Sequence, residues 1–168
     1  MFPAKAPTGS KIPNRLRAGI SLLGDLDVAP VSITSSTVAL TRQTHSGRLV
    51  VLNLAAGIAV TLPAATGSGD RFTIVVGTTF TGAATIKVVG NDIMVGNAWL
   101  GQNGADTVVQ FVTAADSDTI DLLGTGNSTG GIAGQIVELY DMAADTWLVR
   151  LMGDAAGTEA TPFSATVS

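Results

Sequence analysis

The chain has 168 residues, 46% of them hydrophobic and only 13% charged, with a formal net charge of -4. That is about half the ~25% charged content of an average soluble domain, a thin charge cover that is easily buried against neighbours. The acidic balance argues against nucleic acid, which needs clustered Lys and Arg. The absence of cysteine excludes disulfides and thiolate metal sites, and no apolar run reaches the ~18 residues of a membrane-spanning helix.

Residues 1–30 read as an extended N-terminal arm. Pro3, Pro7, Pro13 and Pro30, with Gly9, Gly19 and Gly24, break both helices and strand ladders. Lys5, Lys11, Arg15 and Arg17 are four of the nine basic residues, and no acid precedes Asp25. A helix is possible only from Asn14 to Leu23, with Leu16, Ile20 and Leu23 on one face, and Gly19 weakens it. The arm holds no apolar run of signal-peptide length, so the chain is expected to be soluble and unprocessed.

Residues 31–152 read as a β-sandwich body. Its short runs alternate with period two and end in Gly, Asn, Asp or Ser clusters. Ile58, Val60 and Leu62 share a face, as do Phe72, Ile74 and Val76, then Ile86 with Val88, Ile120 with Leu122, and Trp147, Val149 and Leu151. Two runs, Leu49–Leu54 and Gln135–Met142, are apolar on both faces, which places them either in the middle of a sandwich or at a subunit contact. No helical pattern separates the strands, so a βαβ sheet is not expected. The expected class is all-β, an antiparallel β-sandwich or jelly-roll-like domain. Residues 153–168, small and polar apart from Phe163, read as a short C-terminal arm.

A search for chemistry returns no catalytic, cofactor-binding or metal site. His45 is the only histidine; no GxSxG elbow accompanies it, and it reads as a polar residue entering the turn at Gly47. Asp116, Asp118 and Asp121 carry the oxygens a hard cation prefers, but lack an EF-hand spacing and are typical turn formers. The glycine loops Gly67–Asp70 and Gly124–Gly134 lack the lysine of a phosphate-binding loop and read as strand connections. Glu138 and Asp141 differ by an odd number along one strand, so they point to opposite faces and make no hydrolytic pair. Trp147 is expected in the core; Trp99 is the aromatic expected at a surface, for packing or a ligand. Asn127-Ser128-Thr129 fits the glycosylation pattern by accident.

The stretch VVLNLAAGIAVTLPAATGSGDRFTIVVGT, then IKVVGNDIMVG, GQIVELYDMAADTWLVRLMG and GTEATPFSATV, resembles the capsid decoration, or cement, proteins of tailed bacteriophages. The resemblance runs from about Arg48 to the C-terminus, and its most specific piece is Thr61–Gly77. Similar pieces occur in phage head fibres. The resemblance implies an antiparallel sandwich or jelly roll that forms a homotrimer on the outer surface of the virion. Its partners would be the major capsid protein, other copies of itself, and neighbouring decoration subunits reached by the arms, with Lys5, Lys11, Arg15 and Arg17 against an acidic shell. The alternative it leaves open is a trimeric head-fibre or tail-fibre module that binds host glycan.

Overall fold

A computed structural model describes residues 29–102, 104–122 and 126–166. The described residues form twelve strands and one helical turn. In order these are β1 (Val31–Ile33), β2 (Thr37–Ala39), α1 (Arg42–His45), β3 (Leu49–Leu52), β4 (Ala59–Thr61), β5 (Arg71–Val76), β6 (Ala84–Lys87), β7 (Ile93–Gln102), β8 (Val108–Val112), β9 (Thr119–Leu122), β10 (Ile136–Ala143), β11 (Thr146–Ala155) and β12 (Phe163–Ser164). They build a seven-stranded sheet, β1-β3-β5-β10-β11-β7-β8, and a five-stranded sheet, β12-β9-β6-β4-β2. The all-β, two-sheet architecture is the one the alternation predicts.

The direction of the strands is not. The first six strands alternate between the sheets, so that β1, β3 and β5 pair parallel in one and β2, β4 and β6 pair parallel in the other. β11 and β7 are a further, ten-residue parallel pair. The other ladders are antiparallel. The expectation of a purely antiparallel sandwich is therefore corrected to a mixed one. Parallel neighbours require a crossover connection, normally a helix; between β1 and β6 a strand of the opposite sheet serves instead. Alternation reports which face a residue takes, not the direction of its strand.

The winding stacks like on like. Ile33, Leu52 and Val76 are in register across the seven-stranded sheet, and Val38, Val60 and Ile86 across the five-stranded one. These inward rows meet in a single core with Phe72, Ile74, Leu139, Trp147 and Val149, each buried large side chain contributing about 1.5–3 kcal/mol. Trp147 is fully buried and meets Phe72 edge-on, with ring centroids 5.7 Å apart, as its position in the alternating pattern predicts. In the long β7–β11 pair, Gly96 is required, since a Cβ there would overlap the Val149 carbonyl.

The segment read as a C-terminal arm lies on the body of its own chain. β11 runs on to Ala155, and β12 pairs with β9 as the edge of the five-stranded sheet, with Phe163 buried. Residues 1–28, with Lys5, Lys11, Arg15, Arg17 and the helical stretch from Asn14 to Leu23, lie outside the described residues.

Candidate functional site

The Thr61–Gly77 stretch supplies Asp70 and a glycine loop to a charged cluster completed by Arg42 and Asp141. Its glycine-rich loop does hold an anion, and the anion is the chain's own Asp141. Gly67 and Gly69 take positive φ (71° and 77°), which turns successive amides toward one point. The Asp141 carboxylate accepts from the backbone N–H of Thr66 (2.9 Å) and Gly67 (2.7 Å), the Ser68 hydroxyl (2.7 Å) and the Arg42 guanidinium (2.8 Å). Arg42 also donates to Asp70 (2.6 Å) and to the Ala64 carbonyl (2.6 Å). Ser46 donates to Asp70 as well, and the single Ser68 hydroxyl hydrogen is shared between Asp70 and Asp141.

This cluster ties α1, the β4–β5 loop and the end of β10 together. Burial pushes the Asp141 carboxyl upward, but hydrogen bonds from Ser68, Arg42 and the Gly67 amide outweigh it and hold the group well below the usual carboxylate range. Asp70 is held below its ordinary value, chiefly by the Ser68 and Ser46 hydroxyls. Arg42 is raised, chiefly by its hydrogen bond to Asp141. Carboxylates so saturated with donors are poor proton acceptors. The cluster is a structural clamp.

The other sequence candidates resolve individually. His45 is buried in α1 and its Nδ1 accepts from the Thr41 N–H (3.0 Å), the turn residue it was expected to be. Asp116 is exposed, whereas Asp118 and Asp121 hold the C-terminal segment. Asp118 accepts from the Thr119 hydroxyl (2.7 Å) and the Thr166 N–H (2.8 Å), and Asp121 accepts from the Ser164 hydroxyl. Among the described residues no group of three or more His, Asp or Glu converges as a metal site. Glu138 and Asp141 do face opposite sides of β10, half-buried outside and buried inside. Asn127 of the glycosylation pattern is buried.

What the structure gathers is a surface. On the outer face of the seven-stranded sheet, Val51, Val75, Ile136, Met152 and Trp99 are successive cross-strand neighbours, a continuous apolar row from β3 to β7. The row beside it reads Leu49, Thr73, Glu138, Arg150, Asn97 and Val112, and the next Arg71, Tyr140, Leu148 and Val95. Arg71 pairs with Glu138 and lies over the Tyr140 ring. Half-buried Trp99 borders a groove with Ile136, Glu138, Arg150 and Met152. Both runs that are apolar on two faces lie in this sheet, as β3 and β10, with one face in the core and the other outward. Leu49, Ile136 and Met152 are 37%, 37% and 58% exposed.

Among the described residues no helix is long and apolar enough to cross a membrane. No family model, no curated protein and no solved structure matches the chain.

Proposed function

We propose that the chain is a non-catalytic virion structural protein that decorates and stabilises the icosahedral capsid of a tailed phage, as a homotrimer bridging major capsid protein subunits. The observation that carries this reading is the outward apolar face of the seven-stranded sheet, a surface suited to joining subunits, on a body whose ionisable clusters are spent on internal bonds. The likeness of Thr61–Gly77 to cement proteins supplies the setting. A shell filled with DNA is pressed outward, and a subunit lying across its seams adds buried area there. At about 25 cal/mol per Å² of apolar area, reduced by association entropy, each trimer contributes several kcal/mol.

In this reading the arm 1–30 reaches a neighbouring capsid or decoration subunit, with Lys5, Lys11, Arg15 and Arg17 meeting an acidic surface. Arms suit this role because they order on docking and cover much area with few residues. Deleting Met1–Arg17 is expected to lower occupancy on purified shells, read by co-sedimentation, while circular dichroism stays unchanged. Unchanged occupancy contradicts the arm's role.

The groove beside Trp99 favours a second reading, a head-fibre or tail-fibre module that binds host glycan by stacking a sugar on the indole, with Glu138 and Arg150 as polar partners. A glycan array separates the two: binding lost in Trp99→Ala supports the fibre module, and no binding at all supports the decoration protein.

A further inference from the structure

We propose that the outer face of the seven-stranded sheet is buried against a second copy of this chain. The inference rests on the self-association contained in the proposed function, and it names the surface that carries it. Three observations converge on that occupant.

The first is extent. From β3 to β8 the three outward rows cover six strands, roughly 25 Å by 20 Å at the usual strand spacing, which approaches the ~800 Å² per partner of a stable interface once side-chain relief is counted. A single small ligand would leave most of it in water.

The second is charge. Residues 29–168 carry five basic side chains against eleven acidic ones, so two bodies repel one another over most of their surface. The outward positions of the seven-stranded sheet hold Arg71 and Arg150 against Glu138 and Asp154, two of each sign. The acidic excess lies elsewhere. This is the face on which a second, equally acidic copy meets least repulsion, whereas a partner chosen for the body's charge would be basic and would dock elsewhere.

The third is the edge. β8, with sequence VVQFV, is the last strand of this sheet and has no charged residue. Val108 and Val112 are 71% and 69% exposed and flank Gln110, the β8 residue opposite Trp99 where the apolar row ends. Uncharged, β-branched edge strands are hazards that proteins normally blunt or cover. An interface that continues from the face onto this edge removes both exposures at once.

The test uses the full chain and four variants, with native mass measured across the micromolar range. Ile136→Glu and Met152→Glu each place a charge on the apolar row, at positions already open to water in the single chain. Ala59→Glu places the same charge on the exposed face of β4. The fourth variant lacks residues 1–28. The expected result is a wild-type mass that is a multiple of 16.9 kDa. Ile136→Glu and Met152→Glu should weaken association about 30-fold or more, toward 16.9 kDa, with unchanged circular dichroism; Ala59→Glu should behave as wild type. Two positions are used so that a loss of fold in one leaves the other to decide. An oligomer that survives folded face variants overturns the inference and leaves self-association standing on another surface. A wild-type chain that stays at 16.9 kDa overturns both. If such a monomer associates once residues 1–28 are removed, the cover of this face is the chain's own N-terminal segment, which also overturns the inference.

Discussion

The outer faces of the two sheets are made from different residues, although one core lies between them. The five-stranded sheet turns Thr37, Ala39, Ala59, Thr61, Thr85, Lys87 and Asp121 outward, small or polar side chains that lose little by contact with water. The seven-stranded sheet turns out Leu49, Val51, Val75, Ile136, Tyr140, Leu148, Met152 and Trp99, interspersed with Arg71, Thr73, Glu138, Arg150 and Asn97. Because the chain alternates between the sheets from β1 to β6, the contrast recurs along the sequence: Leu49 and Val51, then Ala59 and Thr61, then Thr73 and Val75, then Thr85 and Lys87. Of these strands β3 is apolar on both sides and β5 adds Val75 to an outer face that also holds Arg71 and Thr73, whereas β4 and β6 are apolar on one side only. A single sheet exposed to solvent needs only the second kind, which is why the self-association proposed above is assigned to the seven-stranded sheet.

The largest expected effect sets the inside of the seven-stranded sheet against its outside. Trp147 and Leu148 are consecutive in β11 and face opposite ways. Trp147→Ala opens a cavity against Phe72 and should cost about 3–5 kcal/mol in thermal or urea unfolding. Leu148→Ala, measured in the dissociated Met152→Glu background, should cost less than about 1 kcal/mol. Equal costs would mean that the outer face is already packed within one chain, and the contrast between the two sheets would collapse.

Next in size is the clamp. All the hydrogen bonds that the Asp141 carboxylate accepts come from donors, so the amide of Asp141→Asn sets an N–H₂ against N–H groups in a buried place. About 3 kcal/mol of destabilisation is expected from urea midpoints, with the oligomeric state of the folded fraction unchanged. A changed mass in the folded fraction would connect the clamp to the contact face and blur the distinction between them.

The smallest effect is with pH. Asp141 and Asp70 have lowered values in the folded chain, so the unfolded chain takes up protons first as the medium is acidified. Their contribution to stability is complete above the ordinary carboxylate value of 3.8 and declines as pH falls from there through the lowered folded values. Unfolding free energy measured from neutral pH down to below that value should therefore fall at the acidic end, and Asp141→Asn should flatten the decline. An identical slope in the variant would remove Asp141 from the acid response.

Much of the body was legible from period-two alternation, because pleating forces neighbours to opposite faces whatever the strand's direction. That is why Trp147, Phe72 and the inward valines were placed correctly while the parallel winding of β1 to β6 was not: direction is set by which strands meet, at separations alternation does not encode. The C-terminal segment was misread for a related reason. Phe163 alone is too short a pattern to announce a strand, and the bonds from Asp118 and Asp121 that seat it join residues more than forty positions apart. The clamp leaves a signal in the sequence. Asp141 follows Val137 and Leu139 on the inward side of β10, and a carboxylate at an inward position needs donors; the glycine loop at Gly67–Asp70 and Arg42 supply them.

Oxidation of the methionines asks most directly whether the apolar face is covered in the native protein. Within the single chain Met94 is fully buried and Met152 is 58% exposed. In the full-length protein under dilute peroxide, followed by peptide mass, the expected result is that Met152 is protected nearly as well as Met94, and that protection is lost in the dissociated Ile136→Glu variant. Oxidation of wild-type Met152 at the rate of a solvent-exposed methionine would contradict the account, since the face would then lie open to water.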